Sequence, residues 1–469
     1  MLCYFNHGCG EKIQVNDSIY LQDLQGYVEK YIMEKNIPAM SVAIWHNNIL
    51  RQAASGILDQ KKQTRAEINS VFQIGSITKV MTASLVMKLV DDGLVDIDCP
   101  VKYYLPDFLI ADKYAAETIT VRQLISHTSG IAGDYFPNDS GHKGNLIARY
   151  VDRCSLLPLV HKSGQMYSYS NSAFAIAGRL IEVVGGLSWY EAVREHIYQP
   201  LGMSCALADF RESSIECAKG HVYHGENTNR WVQSERGCLS QGLAPAGLTP
   251  AMSAENLIRF ARAHMNGGLN QQGQRWLSID SIQEMQTPQI ALPKISEICD
   301  NYSGLGWGIN DYYRYRVISH GGATNGFLAM LQMIPELNTA FVILINGFRP
   351  PAMKVATNTI LQAITGIDMQ EPEPTNAISV GDFRAVEGCY ESLDASVTIS
   401  IEGQRIVGKI IHKIDPLPPT TIELRHIAGG RFAVFSADGK RRPNMVFIKQ
   451  GDQQIYSYLF NSKRLNKRS

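Results

Sequence analysis

Apolar positions recur at helical spacing at Leu24, Tyr27, Val28, Tyr31 and Ile32 after Asp17-Ser18, which predicts an amphipathic helix opening the fold. The period then changes. Met40–Trp45 and Ile49–Ser55 read as strands joined by an Asn47-Asn48 hairpin turn, since asparagine tolerates the left-handed conformations such turns need. From about Ile77 to Asn301 helical pattern and loop dominate, with clear helices over Val80–Val90 and Phe174–Val184. Strand character returns at Tyr315–Ser319, Phe327–Met333 and Ala340–Ile345, and Ala352–Ile364 supplies a closing helix. The economical arrangement is an antiparallel sheet assembled from both ends of this region, flanked by its terminal helices, with the long helical segment inserted as a second lobe. A cleft between the lobes is the expected place for a site.

Thr365-Gly366 closes this unit, and Glu371-Pro372-Glu373-Pro374 cannot continue a helix, so a linker is expected over 367–379 between a first domain, 15–366, and a second, 380–469. In the second domain Val397–Ile401, Arg405–Ile411, Thr420–Arg425, Arg431–Phe435, Asn444–Ile448 and Gln454–Phe460 are short β-branched or aromatic runs. Glu402-Gly403, Gly429-Gly430 and Asp438-Gly439 separate some of them, the pattern of a meandering antiparallel barrel or sandwich. The fold class is therefore α/β in the α+β sense, with a small C-terminal all-β barrel. Lys463-Arg464 and Lys467-Arg468 read as a solvated tail.

Composition removes several functions. The chain has 469 residues, with 44 Lys+Arg against 44 Asp+Glu and 45% hydrophobic residues, enough for a large core and without the basic field that nucleic acid requires. The most apolar stretch, Phe327–Ile345, is broken by Pro335, Glu336 and Asn338, so no membrane span is expected. Met1–Gly10 does not show a basic region followed by an apolar one; no secretory signal is read, and the expected address is cytoplasmic. Nine scattered cysteines without a Cys-x-x-Cys read as reduced, mostly buried thiols.

The chemistry concentrates in Gln73-Ile-Gly-Ser76-Ile-Thr-Lys79, a serine three residues before a lysine at a helix start. That spacing puts both side chains on neighbouring faces of one turn, where they can share a proton. A hydroxyl attacks only when a base takes its proton, and lysine is such a base when burial and the helix terminus lower its pKa. A second Ser-x-x-Lys, Ser140-Gly-His-Lys143, lies in a turn-rich stretch with no helix after it and is read as a decoy. Two further elements join the first. Tyr169-Ser170-Asn171, ahead of an apolar helix, offers a phenol for proton relay and an amide for a polar partner. His320-Gly321-Gly322 follows a strand, and its glycines would let a substrate backbone lie close to the strand edge. His221-Val-Tyr-His224 lacks a third ligand nearby and reads as surface, so neither metal nor cofactor is expected.

In this order the elements resemble those of the serine β-lactamase and penicillin-binding-protein superfamily. The similarity is greatest to the class C β-lactamase-related branch with its D-alanyl-D-alanine carboxypeptidase, D-aminopeptidase and esterase members. It spans roughly 18–365 and includes Ile37–Ile44 and the Leu124-Ile-Ser-His-Thr-Ser-Gly130 stretch, expected to shape the cleft wall. The C-terminal domain resembles the lipocalin-like extensions of some members, entered at Glu387-Gly-Cys-Tyr-Glu391. The resemblance implies a β-lactamase/transpeptidase-like fold and a serine hydrolase. Ser76 would be the acyl-enzyme nucleophile, Lys79 and Tyr169 the proton-transfer pair in either order, and Asn171 a positioning group for Lys79 and a substrate amide. His320 stands where relatives carry a lysine and would place substrate or relay protons. Gly322 would bind substrate, and the backbone N–H groups of Ser76 and Ala323 would form the oxyanion hole. The missing lysine weighs against efficient β-lactam hydrolysis and for an esterase or D-residue peptidase with a small-molecule or short-peptide substrate. A non-catalytic scaffold that retains the cleft is the competing reading. The absence of a Gly-x-Ser-x-Gly elbow counts against an α/β-hydrolase.

Overall fold

The computed structural model describes residues 22–133, 135–137, 145–212, 214–224, 230–234, 240–297, 300–368, 372–374, 380–413, 418–449, 456–461 and 463–468. The first described helix, α1 (Leu24–Lys35), is capped by Asp23, whose carboxylate accepts from the Gly26 N–H; the Asp17-Ser18 start lies outside the described residues. The hairpin follows as β1 (Ala39–His46) and β2 (Ile49–Asp59), with Asn47 and Asn48 at φ 52° and 60°, the pair of positive angles a tight two-residue turn demands. A short β3 (Thr64–Arg65) extends this edge.

Beyond the helical lobe, β4 (Ile290–Ala291), β5 (Tyr302–Ser303), β6 (Gly308–Tyr312), β7 (Tyr315–Thr324), β8 (Phe327–Ile334) and β9 (Thr339–Ile345) complete a nine-stranded sheet of described strands. Its order is β3-β2-β1-β9-β8-β7-β6-β5-β4, so the first hairpin pairs with the last strand, Met40 opposite Ile345. The strands of the two ends are thus neighbours, as the sequence pattern implies. β1 and β9 are buried on both faces because helices cover both. On one face Ile318, Ala329 and Leu331 join the core of the helical lobe. On the other, Val317, Leu328 and Ile343 pack with α1 and a C-terminal helix (Pro350–Thr365) that closes this layer.

At the centre of the helical lobe lies the Thr78–Asp91 helix, whose residues from Thr78 to Met87 are all buried. A helix apolar on nearly every face belongs inside a protein. Its buried hydroxyls are satisfied: Thr82 Oγ1 donates to the Pro245 carbonyl at 2.7 Å and Ser84 Oγ to the Val80 carbonyl at 2.9 Å.

The C-terminal strands form a closed eight-stranded barrel in sequence order, from Gly388–Glu391 through to Lys463–Lys467. This resolves the barrel-or-sandwich alternative. It also corrects the reading of the basic end as a solvated tail: Lys463–Lys467 is the closing strand, pairing with Tyr456–Asn461 on one side and Gly388–Glu391 on the other, and Arg464 is 8% exposed. Closing a barrel removes both unpaired edges, a gain that outweighs the polar character of this strand. The barrel packs on loops of the helical lobe. Arg431 Nη1 meets Glu297 Oε1 at 2.9 Å, Asn444 Nδ2 donates to the Ile295 carbonyl at 2.9 Å, and Asn466 Nδ2 to the Val160 carbonyl at 3.1 Å. Much of the linker range, 369–371 and 375–379, and the decoy Ser140-Gly-His-Lys143 lie outside the described residues. His221 is a further correction. It is fully buried, not superficial, with Nδ1 donating to the Asn346 carbonyl at 3.0 Å, because its strand runs under the sheet end near Gly347. No described helix is long and apolar enough to cross a membrane.

Candidate active site

Ser76 sits in a single tight turn, Gly75–Ile77, that runs into the buried Thr78–Asp91 helix. Gly75 adopts φ +54°, and a Cβ there would stand 2.6 Å from the Ala323 backbone nitrogen of β7, so both the angle and the close approach require glycine. Thr78 Oγ1 donates to the Gly75 carbonyl at 2.8 Å and ties the turn to the helix.

At the second position of that helix, three residues after Ser76, Lys79 is fully buried. Its Nζ stands 3.0 Å from Ser76 Oγ and donates to the Ala246 carbonyl at 2.6 Å; it lies 4.7 Å from the Tyr169 ring centroid and 5.7 Å from that of Phe174. Burial drives its pKa well below the ordinary lysine value, and the positive charge of Lys463 lowers it further. Tyr169 bonds the Ser76 side chain, and burial pushes its phenol up despite that bond. At neutral pH the phenol therefore keeps its proton while the amine is disposed to lack one.

Tyr169 is held from behind. His127, at φ 61°, stacks on it at 4.3 Å between ring centroids and accepts the Ser170 N–H at Nδ1 over 3.0 Å. That bond fixes the proton on Nε2, and burial, then the Lys79 charge, hold His127 neutral by moving its pKa well down. The Ser170 hydroxyl caps the Asn171–Gly185 helix through the Ala173 N–H at 3.1 Å. Asn171 is the first residue of that helix, its N–H donating to the Gly133 carbonyl at 3.2 Å.

Across the cleft, His320 Nδ1 donates to the Gly321 carbonyl at 2.6 Å, and burial brings its pKa down to about 4, with the Lys79 charge acting in the same direction. The ring is neutral at physiological pH and offers an unprotonated Nε2. Gly322 also has a packing role. The side on which its Cβ would project is filled by the Ile74 carbonyl and, at 3.2 Å, the Ser76 nitrogen. This glycine lets β7 close on the Ser76 turn. The same closure brings the Ser76 and Ala323 backbone nitrogens to one rim of the cleft.

Ser76, Tyr169, His320, Gly322 and Ala323 line a cavity of about 800 Å³. Lys79 is buried beneath Ser76, and Asn171 stands at its helix start outside the lining. Lys463, Asp300, His127 and Tyr167 also line the cavity. The sequence pattern assigns none of the four an individual role in the site. His127 lies inside the Leu124–Gly130 stretch already marked as cleft wall, so that motif held its signal. Lys463 comes from the barrel. Its position is fixed by the adjoining Arg464, whose N–H donates to Ser168 Oγ at 3.4 Å and whose Nη1 reaches Met166 Sδ at 2.8 Å, and by Phe460, 6.1 Å from the Tyr167 ring centroid. Lys463 pairs with Asp394 at 3.7 Å, and burial lowers its pKa to about 8.

The beta-lactamase family model matches residues 24–365, nearly three quarters of the chain. The chain belongs to the beta-lactamase family. Within that family it is 32% identical over 321 residues to penicillin-binding protein 4 of Amycolatopsis lactamdurans, covering 67% of this chain and 82% of that protein. It is 25% identical over 353 residues to the unguisins hydrolase ungD of Aspergillus violaceofuscus, covering 71% of this chain and 62% of that one. Among solved structures, SurE superposes with a TM-score of 0.76 at 21% identity over 95% of this chain and 99% of its own, barrel included. The D-amino acid amidase of Ochrobactrum anthropi SV3 gives 0.61 at 21% identity over 74% and 99%. Family membership points to serine-hydrolase chemistry.

Proposed function

We propose that the protein is a serine hydrolase that cleaves esters or amides of short acyl or peptidyl groups through an acyl-enzyme on Ser76. The observation that carries this reading is the buried Lys79 amine 3.0 Å from Ser76 Oγ. A neutral amine there accepts the hydroxyl proton as Oγ bonds the carbonyl carbon. The negative charge that develops on the carbonyl oxygen is met by the Ser76 and Ala323 N–H groups. Tyr169, protonated and bonded to Ser76, delivers a proton to the departing alcohol or amine and is reprotonated from Lys79. Water then attacks the ester carbonyl of the acyl-enzyme, its proton passes to the same pair, and Oγ leaves with a proton restored. His320, neutral with a free Nε2, orients the substrate on the opposite wall.

An esterase or D-residue peptidase remains the favoured form of this activity, and the name of the Ochrobactrum relative, a D-amino acid amidase, supports it. The lysine absent from His320-Gly321-Gly322 does not leave the cleft without a cation, because Lys463 lines it. Incubation with a p-nitrophenyl ester of a short acid, quenched in acid and digested, is expected to leave the acyl mass on the peptide containing Ser76. A folded protein that neither releases p-nitrophenol nor carries the adduct would make it a scaffold; turnover with the adduct on another residue would displace Ser76.

Lys463 gives this reading a pH signature. Its charge disfavours the Lys79 cation, so Lys463→Met allows Lys79 to keep its proton to higher pH. The acid limb of kcat/KM is expected to move to higher pH in the variant. As Lys463 itself loses its proton near pH 8, the wild-type and variant profiles converge above that point. Superimposable acid limbs would show that the barrel exerts no field on the base.

A further inference from the structure

β7 pairs with β6 only as far as Ser319, opposite Gly308, so among the described residues its remainder from His320 to Thr324 is an open edge on that side. The cavity passes around this edge from the Ser76 face to the face covered by the Pro350–Thr365 helix. There it is lined by Asp300, Ser319, Gln332, Thr357 and Asn358, with Met330 and Met353 alongside.

The polar atoms left without partners on this far side are oxygens able to accept a hydrogen bond. The Asp300 carboxylate accepts from Ser319 Oγ at 2.9 Å, and no described cation pairs with it. Gln332, cross-strand from Ser319, is 6% exposed; among the described residues its Oε1 has no hydrogen-bond partner, and Oγ1 of Thr357, 4% exposed, and Oδ1 of Asn358 are likewise unpartnered. Buried oxygens without donors are costly, each by about 1–3 kcal/mol. Gly308 belongs to the same construction, since a side chain there would collide with the Asp300 carboxylate. Burial also lifts the Asp300 pKa to about 6, still ionised at neutral pH and favouring any cation placed against it.

We propose that this far side of the cavity, walled by Asp300, Gln332, Thr357 and Asn358, is a binding site for a protonated primary amine. An ammonium carries three donors and one positive charge, matching a carboxylate and a set of unpaired acceptors. Met330 and Met353 provide apolar contact for the chain bearing it. Of the basic groups that also border the cavity, Lys463 pairs with Asp394 at 3.7 Å, Lys354 and Arg442 are exposed and screened by solvent, and Arg441 faces Glu373 at 3.9 Å. They therefore oppose a cation less than buried Asp300 attracts it. For an acyl donor engaged at Ser76 the site would receive an amino-bearing arm running along the open edge of β7. That use rests on the hydrolase reading; the amine site itself does not.

The test is a binding measurement. Calorimetric titration with n-hexylammonium chloride at pH 7.5, against 1-hexanol as the uncharged counterpart of equal length, is expected to give at least about tenfold tighter binding of the amine, the ratio a charged hydrogen bond confers. Asp300→Asn should remove that preference, and Thr357→Val, isosteric without the oxygen, should weaken amine binding by about threefold or more. Equal affinity for the two probes overturns the proposal, as does amine affinity unchanged in whichever variants are folded. Because no turnover is read, a protein that fails as a hydrolase can still pass, and a working hydrolase can still fail.

Discussion

Lys79→Met is expected to lower kcat/KM for an activated ester by about 10²–10⁴-fold, the range by which a positioned general base accelerates proton transfer. Methionine fills nearly the same volume in a fully buried position but offers no basic nitrogen 3.0 Å from Ser76 Oγ. The same variant has a stability signature that a merely structural lysine on the surface would lack. In the native protein burial keeps the Lys79 pKa well below 10.5, so between the two values the unfolded chain binds more protons than the folded one. Stability from this group therefore rises with pH up to about 10.5, the unfolded value, and is diminished at neutral pH. Urea midpoints taken from pH 7 to 9 should rise less steeply in Lys79→Met than in wild type, the shared contribution of Lys463 cancelling in the comparison. Ester turnover within tenfold of wild type would assign the base elsewhere, with Tyr169 next in line.

The parts of this architecture visible in the sequence are those set by local chemistry. Asn47-Asn48 declares a turn because few other residues tolerate two successive positive φ angles. Ser76 and Lys79 declare each other because a helix brings residues three apart together whatever surrounds them. Most barrel strands were likewise legible from alternating β-branched runs between glycine turns. The misread features depend on tertiary partners. Lys463 and Arg464 look like a soluble tail until strands on both sides are in place, and only then does the ammonium border a cleft far away in sequence. His221 looks superficial until Gly347 and Asn346 run beside it. His127 is one polar residue among several in Ser126-His-Thr-Ser129, and only stacking against Tyr169 distinguishes it. Asp300 sits in a loop whose importance comes from the open end of β7.

Gly322→Ala and Gly321→Ala form a paired test of the oxyanion assignment. The two glycines are adjacent and neither has a positive φ, so backbone strain does not separate them. What separates them is the space on each face of β7. An added methyl at Gly321 meets Met330 Cε at 3.6 Å, an ordinary contact with the end of a flexible side chain. At Gly322 it is driven into the Ile74 carbonyl and comes within 3.2 Å of the Ser76 nitrogen, both backbone atoms that cannot rotate away. The strand must then lift from the Ser76 turn, and Ala323 N–H moves off the position at which the carbonyl oxygen gains charge. Because that donor acts mainly on the transition state, the loss falls on kcat more than on KM, by about 10²–10³-fold for one displaced oxyanion donor. Gly321→Ala should stay within a few-fold of wild type. If both variants retain activity, the hole is built from other donors; if both lose it equally, strand packing near β8 governs the rate and the approach of β7 to the Ser76 turn does not.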